Sequence, residues 1–107
     1  MPWTVIVHSP AVEAELEALP ADVRARFSRY VVLIESQGLE KMREPHVKHL
    51  EGRLWEMRMT GRDGIARAIY VTASGMRVVV LRAFAKKTQR TPRHEPELAR
   101  QRAREVR

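Results

Sequence analysis

The sequence predicts an α+β fold: an N-terminal strand, a two-helix hairpin packed on an antiparallel sheet in the order β-α-α-β-β-β, and a C-terminal helix. Three observations carry this. Residues 3–8 alternate and are rich in β-branched side chains. Residues 10–36 place apolar side chains at three- and four-residue spacing. Residues 54–84 hold three strand-like runs separated by glycine-marked turns.

Trp3 to His8 reads as a strand through Thr4, Val5, Ile6 and Val7. Ser9-Pro10 then starts a helix, serine as the N-cap and proline as the first helical residue, where its missing N–H removes no bond. Val12, Leu16 and Leu19 form an apolar stripe beside Glu13, Glu15 and Glu17, and Pro20 separates this helix from the next. The second helix is expected from about Ala21 to Ser36, with Val23, Phe27, Tyr30, Val31 and Ile34 inward and Gly38 as its stop. Arg24, Arg26 and Arg29 fall largely elsewhere and read as a solvated face.

Residues 39–53, with Pro45 and Gly52, read as a connector. Leu54 to Met59 reads as a strand, residues 60–64 as a hairpin loop, Ile65 to Thr72 as a second strand, and Ser74-Gly75 as a tight turn. Arg77 to Phe84 is apolar on both faces in its middle, as a central strand is. The two helices must cover one face, because so small a sheet is unstable with both faces wet. The other face, and the strand ends near the last helix, are left for function.

The chain has the length of one domain, 1–107, and its 44% hydrophobic content supports one core. Arg104 to Arg107 are expected to fray. Cysteine is absent, which excludes disulfides, thiolate nucleophiles and cysteine-ligated zinc. The N-terminus lacks a basic leader and no segment approaches a membrane span, so a cytoplasmic protein is expected. Residues 82–107 carry nine Lys/Arg against three Asp/Glu, so this tail supplies +6 of the net +7. Such local charge favours an acidic partner such as nucleic acid.

Two blocks, His49-Leu50-Glu51-Gly52-Arg53-Leu54-Trp55-Glu56-Met57-Arg58 and Leu81-Arg82-Ala83-Phe84-Ala85-Lys86-Lys87-Thr88-Gln89-Arg90-Thr91-Pro92, are joined by Glu97-Leu98-Ala99-Arg100-Gln101-Arg102. In these the chain resembles the RelE/ParE superfamily of type II toxin–antitoxin toxins, in its HigB-like, phage-derived branch. The resemblance implies a RelE-like fold and a toxin that enters the ribosomal A site and cuts messenger RNA during translation. It also implies a HigA-like antitoxin partner with a helix-turn-helix domain, and no cofactor. A ParE-like toxin that inhibits DNA gyrase without cutting RNA shares the fold, and fold alone does not separate the two.

RNA is cut without a metal when the 2′-hydroxyl attacks the neighbouring phosphate, which requires proton transfer and cations around a dianionic phosphorane. Arg58 and Arg67, both on strands, are the leading stabilisers, since guanidinium stays charged and grips two oxygens. Register decides between two outcomes. If Arg58 lies opposite Arg67 they share a face; if it lies opposite Ala66 they cannot form one site. An ion pair of Arg58 with Glu56 or Glu51 is the structural alternative.

Lys86 and Lys87, where the central strand ends, are candidates to bind and activate the phosphate together with the two arginines; alternation sets Lys86 on the face of Arg82 and Phe84, and a bulge there would exchange the two lysines. His94 and Lys87 are the candidates for proton transfer. Arg82, Arg90, Arg93 and Arg100 are the candidates for RNA or ribosome contact. Tyr70 reads as packing. His46 and His49 have metal-like spacing but no third ligand, so no metal is expected. Pro96 stands four residues after Pro92, so the last helix either begins near Glu95 or has a distorted first turn.

Overall fold

A computed structural model describes residues 2–86 and 91–107, with Lys86 described by its backbone alone. Strand β1 (Thr4–Val7) leads into helix α1 (Pro10–Glu17), where the Ser9 Oγ accepts from the Val12 N–H at 3.5 Å. Helix α2 (Ala21–Gln37) stops at Gly38, whose φ of 103° suits glycine and whose N–H still reaches the Ile34 carbonyl at 2.9 Å. A single 3₁₀ turn, Leu39–Lys41, follows.

The segment expected to be a connector contains a further strand, β2 (Val47–Glu51), antiparallel to β3 (Leu54–Gly61). It lies at the sheet edge with Lys48, His49 and Glu51 exposed and only Val47 buried, so it lacks the apolar alternation that marks a strand in sequence. Strands β4 (Gly64–Ala73) and β5 (Arg77–Lys86) complete a sheet of order β1-β5-β4-β3-β2. All neighbours are antiparallel except β1 and β5, which pair parallel, Val5 opposite Val78.

Helices α1 and α2 bury Val12, Val23, Tyr30 and Ile34 against Met57, Met59, Ala68, Tyr70, Val78 and Val80. The opposite face is not left open. Helix α3 (His94–Ala103) buries Ala99 on Leu54, Ile69, Val71, Val79, Leu81 and Phe84. The residues expected to fray dock there too. Val106 packs against this second cluster, and the Arg107 carbonyl accepts from Arg77 Nη2 at 2.8 Å. Pro96 is the third residue of α3, inside the first turn, where its missing N–H removes no helical bond. Among the described residues no helix is long and apolar enough to cross a membrane.

A bulge in β5 leaves Leu81 as the extra residue: Ile69 faces Arg82, yet Tyr70 faces Val80. Leu81 packs on the α3 side, and the register change brings Arg82 opposite Ile69, which belongs to that same cluster. Beyond Val80, β5 has lost β1 as a neighbour and its backbone groups need other partners. Glu15 of α1 accepts the Ala83 N–H at 3.1 Å, and Arg102 of α3 donates to the Leu81 carbonyl at 2.7 Å while also bonding both Glu15 oxygens. One carboxylate thus ties α1, β5 and α3 together.

Burial pushes the Glu15 carboxyl upward, but Arg102, the Ala83 N–H and the Arg82 charge outweigh it and hold the group below its ordinary 4.5. A depressed folded value means stability present above 4.5 and lost as pH falls through that folded value. Glu15→Gln is therefore expected to destabilise the protein by about 2 kcal/mol at neutral pH. Urea unfolding of the two proteins should converge as the pH is lowered well past 4.5, whereas a gap that is constant with pH would exclude this role.

Candidate active site

The β3–β4 hairpin turns on two residues, Arg62 and Asp63, with Gly61 opposite Gly64. A side chain on Gly61 would bring its Cβ within 2.6 Å of Val23 Cγ2, so the turn sits directly on α2. That register sets Arg58 opposite Arg67, and the two arginines share a face. Phe84 of β5 lies beyond Arg67 in the same row.

Between the two guanidinium groups sits Glu56. Its Oε1 is 3.5 Å from Arg58 Nε and 3.7 Å from Arg67 Nε, and its Oε2 accepts from Thr91 Oγ1 at 2.9 Å. The ion pair foreseen as the structural alternative for Arg58 is therefore present, alongside the shared face. Arg67 and Glu56 are each 1% exposed. Burial lowers the pKa of Arg67, with Glu56 acting upward and the Arg58 charge adding to the lowering. Glu56 thus sits beside one buried and one partly exposed guanidinium group.

These arginines open into a cleft of about 180 Å³ lined also by Arg26, Tyr30, Pro45, His46, Thr60 and Ile65. It lies just ahead of the start of β2. The Arg58 N–H is taken by the His46 carbonyl at 2.7 Å, and Tyr30 Oη donates to the Arg58 carbonyl at 3.0 Å while contacting His46 Nδ1 at 3.2 Å. Arg26 brings a third cation from α2, and its Nε is buried with no hydrogen-bond partner among the described residues.

Sequence reading missed Glu56 except as a pairing partner, and missed Arg26, Tyr30 and His46 as cleft residues. Arg26 is four residues before Tyr30, which places both on one helical line; that spacing was the available signal. His46 and His49 turn to different partners, since His49 Nε2 contacts the Gly52 carbonyl at 2.8 Å and its ring packs on Trp55. Tyr70 is buried in the core, which pushes its hydroxyl up to about 12.

The tail residues fall in several places. Lys86 ends β5 opposite Ile65, and the nearest bulge is at Leu81 rather than at the strand end. Lys87 and Arg90 lie outside the described residues. Arg82 is not offered to a ligand: Glu95 binds it at 2.6 Å and Glu15 at 3.1 Å, and these carboxylates raise its pKa against the lowering by burial, the largest single influence. Arg100 is paired with Glu51. Arg93 is exposed at the N-cap of α3. His94 is 74% exposed, 3.4 Å from Glu95, and not part of the cleft lining.

A five-stranded sheet carrying a helical hairpin on one face and a C-terminal helix on the other is a RelE-like fold. The free Escherichia coli RelE toxin, solved as a double arginine-to-alanine mutant, superposes with a TM-score of 0.65 over 95% of this chain and 98% of its own, at 16% identity. RelE in an archaeal RelE–RelB complex from Pyrococcus horikoshii matches with a TM-score of 0.57 over 79% of this chain and 96% of its own, at 25% identity. Residues 14–104 match the family described as "Phage derived protein Gp49-like (DUF891)", and the chain belongs to that family. No curated protein matches it.

Proposed function

We propose that this chain, acting as one domain in the cytoplasm, is the toxin of a type II toxin–antitoxin system and a ribosome-dependent, metal-independent endoribonuclease that cuts messenger RNA. The observation that carries the reading is the Arg58–Arg67 pair, set face to face by the hairpin register and opening into a cleft with Arg26. In it the 2′-oxygen attacks its own phosphate. Arg58 and Arg67 neutralise the charge that builds on the phosphorane, in a partly dry site where each contact is worth more than in water. Lys86, Lys87, Arg90 and Arg93 belong to the basic segment whose charge favours contact with RNA and ribosome. Arg82 and Arg100 hold the fold through their carboxylate partners. The placement of His94 outside the cleft lining does not favour it for proton transfer.

The antitoxin is a HigA-like helix-turn-helix protein under this reading; the archaeal neighbour was solved with RelB. Brief induction of the chain, followed by mapping of messenger 5′ ends, should reveal new cuts inside translated codons that disappear when the antitoxin is co-expressed. Intact messages accompanied by double-stranded DNA breaks would overturn the ribonuclease in favour of a gyrase inhibitor.

A further inference from the structure

We propose that His46 is a proton-transfer residue of the cleft and that Tyr30 is its positioning residue; this rests on the ribonuclease reading above. The Tyr30 hydroxyl has one proton and gives it to the Arg58 carbonyl at 3.0 Å. The 3.2 Å contact with His46 Nδ1 therefore requires the imidazole to donate. Neutral His46 is thus held as the Nδ1–H tautomer, and the lone pair sits on Nε2. Among the described residues nothing bonds Nε2. Backbone and ring are both fixed, since the His46 carbonyl takes the Arg58 N–H at 2.7 Å and the imidazole packs at 57° on Tyr30, with centroids 5.8 Å apart.

Among the described residues, the charged and titratable groups that share the cleft with this ring are Arg26 and Tyr30 of α2, Arg58 of β3 and Arg67 of β4. Glu56, the carboxylate nearest the arginine pair, is engaged by Arg58, Arg67 and Thr91, and would have to release them to act as a base. Among the described residues, that leaves Nε2 of His46 as the accepting atom for the cleft. It takes the 2′-hydroxyl proton as the O2′–P bond forms. The P–O5′ bond breaks with its electron pair going to O5′, which takes a proton from water. The imidazolium then returns its proton to the hydroxide so formed. The products are a 2′,3′-cyclic phosphate and a 5′-hydroxyl end.

The test uses the full chain, ribosomes programmed with a defined message, and single-turnover cleavage. Wild type that leaves the message whole would sink the ribonuclease reading itself, before His46 is in question. Given wild-type cleavage, His46→Ala should be slower by roughly 10²- to 10⁴-fold, with part of the rate restored by added imidazole. Tyr30→Phe, which removes only the hydroxyl, should lose less, with antitoxin binding intact. His46→Gln is measured alongside in case alanine loosens the loop. Cleavage at the wild-type rate by either folded His46 variant, or no rescue of His46→Ala by imidazole, would overturn the assignment.

Discussion

Arg67→Ala is expected to slow message cleavage by roughly 10²- to 10³-fold, the usual loss when one preorganised charge-stabilising donor is removed. Arg67 is the larger of the two arginine effects because it is 1% exposed and its side chain is fixed by the sheet, whereas the Arg58 side chain is 28% exposed. A cation desolvated in the resting protein strengthens as phosphorane charge develops, and it needs little reorganisation to do so. Arg67→Lys keeps the charge but loses the planar fork, and should recover only part of the rate. The two arginines act on one phosphate, so the Arg58→Ala/Arg67→Ala double variant should lose less than the product of the single losses. Single-turnover rates on programmed ribosomes check all three. Antitoxin binding guards against misfolding, and a folded Arg67→Ala protein that cuts at the wild-type rate would remove the arginine pair from the chemistry.

The arginine pair was legible in sequence only as a conditional statement. Alternation assigned each residue a face, but the turn had to fix the register, and it tightened to Arg62–Asp63 because β3 and β4 run on through Gly61 and Gly64. Strand β2 was illegible for a different reason. An edge strand with polar residues outward has no apolar period, and its existence depends on β3 offering a free edge. Helical spacing joins Arg26 to Tyr30, but His46 comes from a loop that meets the helix only after the sheet has formed, so no local spacing could add it to them. The charge of Arg82 was visible in sequence but its carboxylate partners were not, because Glu15 and Glu95 stand 67 and 13 residues away in the chain. The basic tail was read by net charge, which does not distinguish a cation held by a carboxylate from one facing solvent.

Glu56→Gln is expected to destabilise the protein by about 3 kcal/mol, toward the lower end of the cost of removing one partner from a buried ion pair. The carboxylate is 1% exposed and is the anion between Arg58 and Arg67, so neutralising it leaves two like charges facing each other across neighbouring strands. Partial exposure of Arg58 keeps the cost from being larger, because water screens one member of the trio. Urea midpoints measure the loss, and the same experiment distinguishes a packing role from an electrostatic one. Inorganic phosphate should raise the midpoint of Glu56→Gln more than that of the wild type, since an anion replaces the carboxylate charge beside Arg58 and Arg67 and stabilises only the folded state. Chloride at equal ionic strength should do less, because it cannot bridge two guanidinium forks as a phosphate does. Equal midpoints for Glu56→Gln and wild type, or equal phosphate shifts, would mean that the carboxylate merely fills space. A larger phosphate shift in the variant would mean that Glu56 occupies in the resting protein the electrostatic position that the RNA phosphate takes over during cleavage.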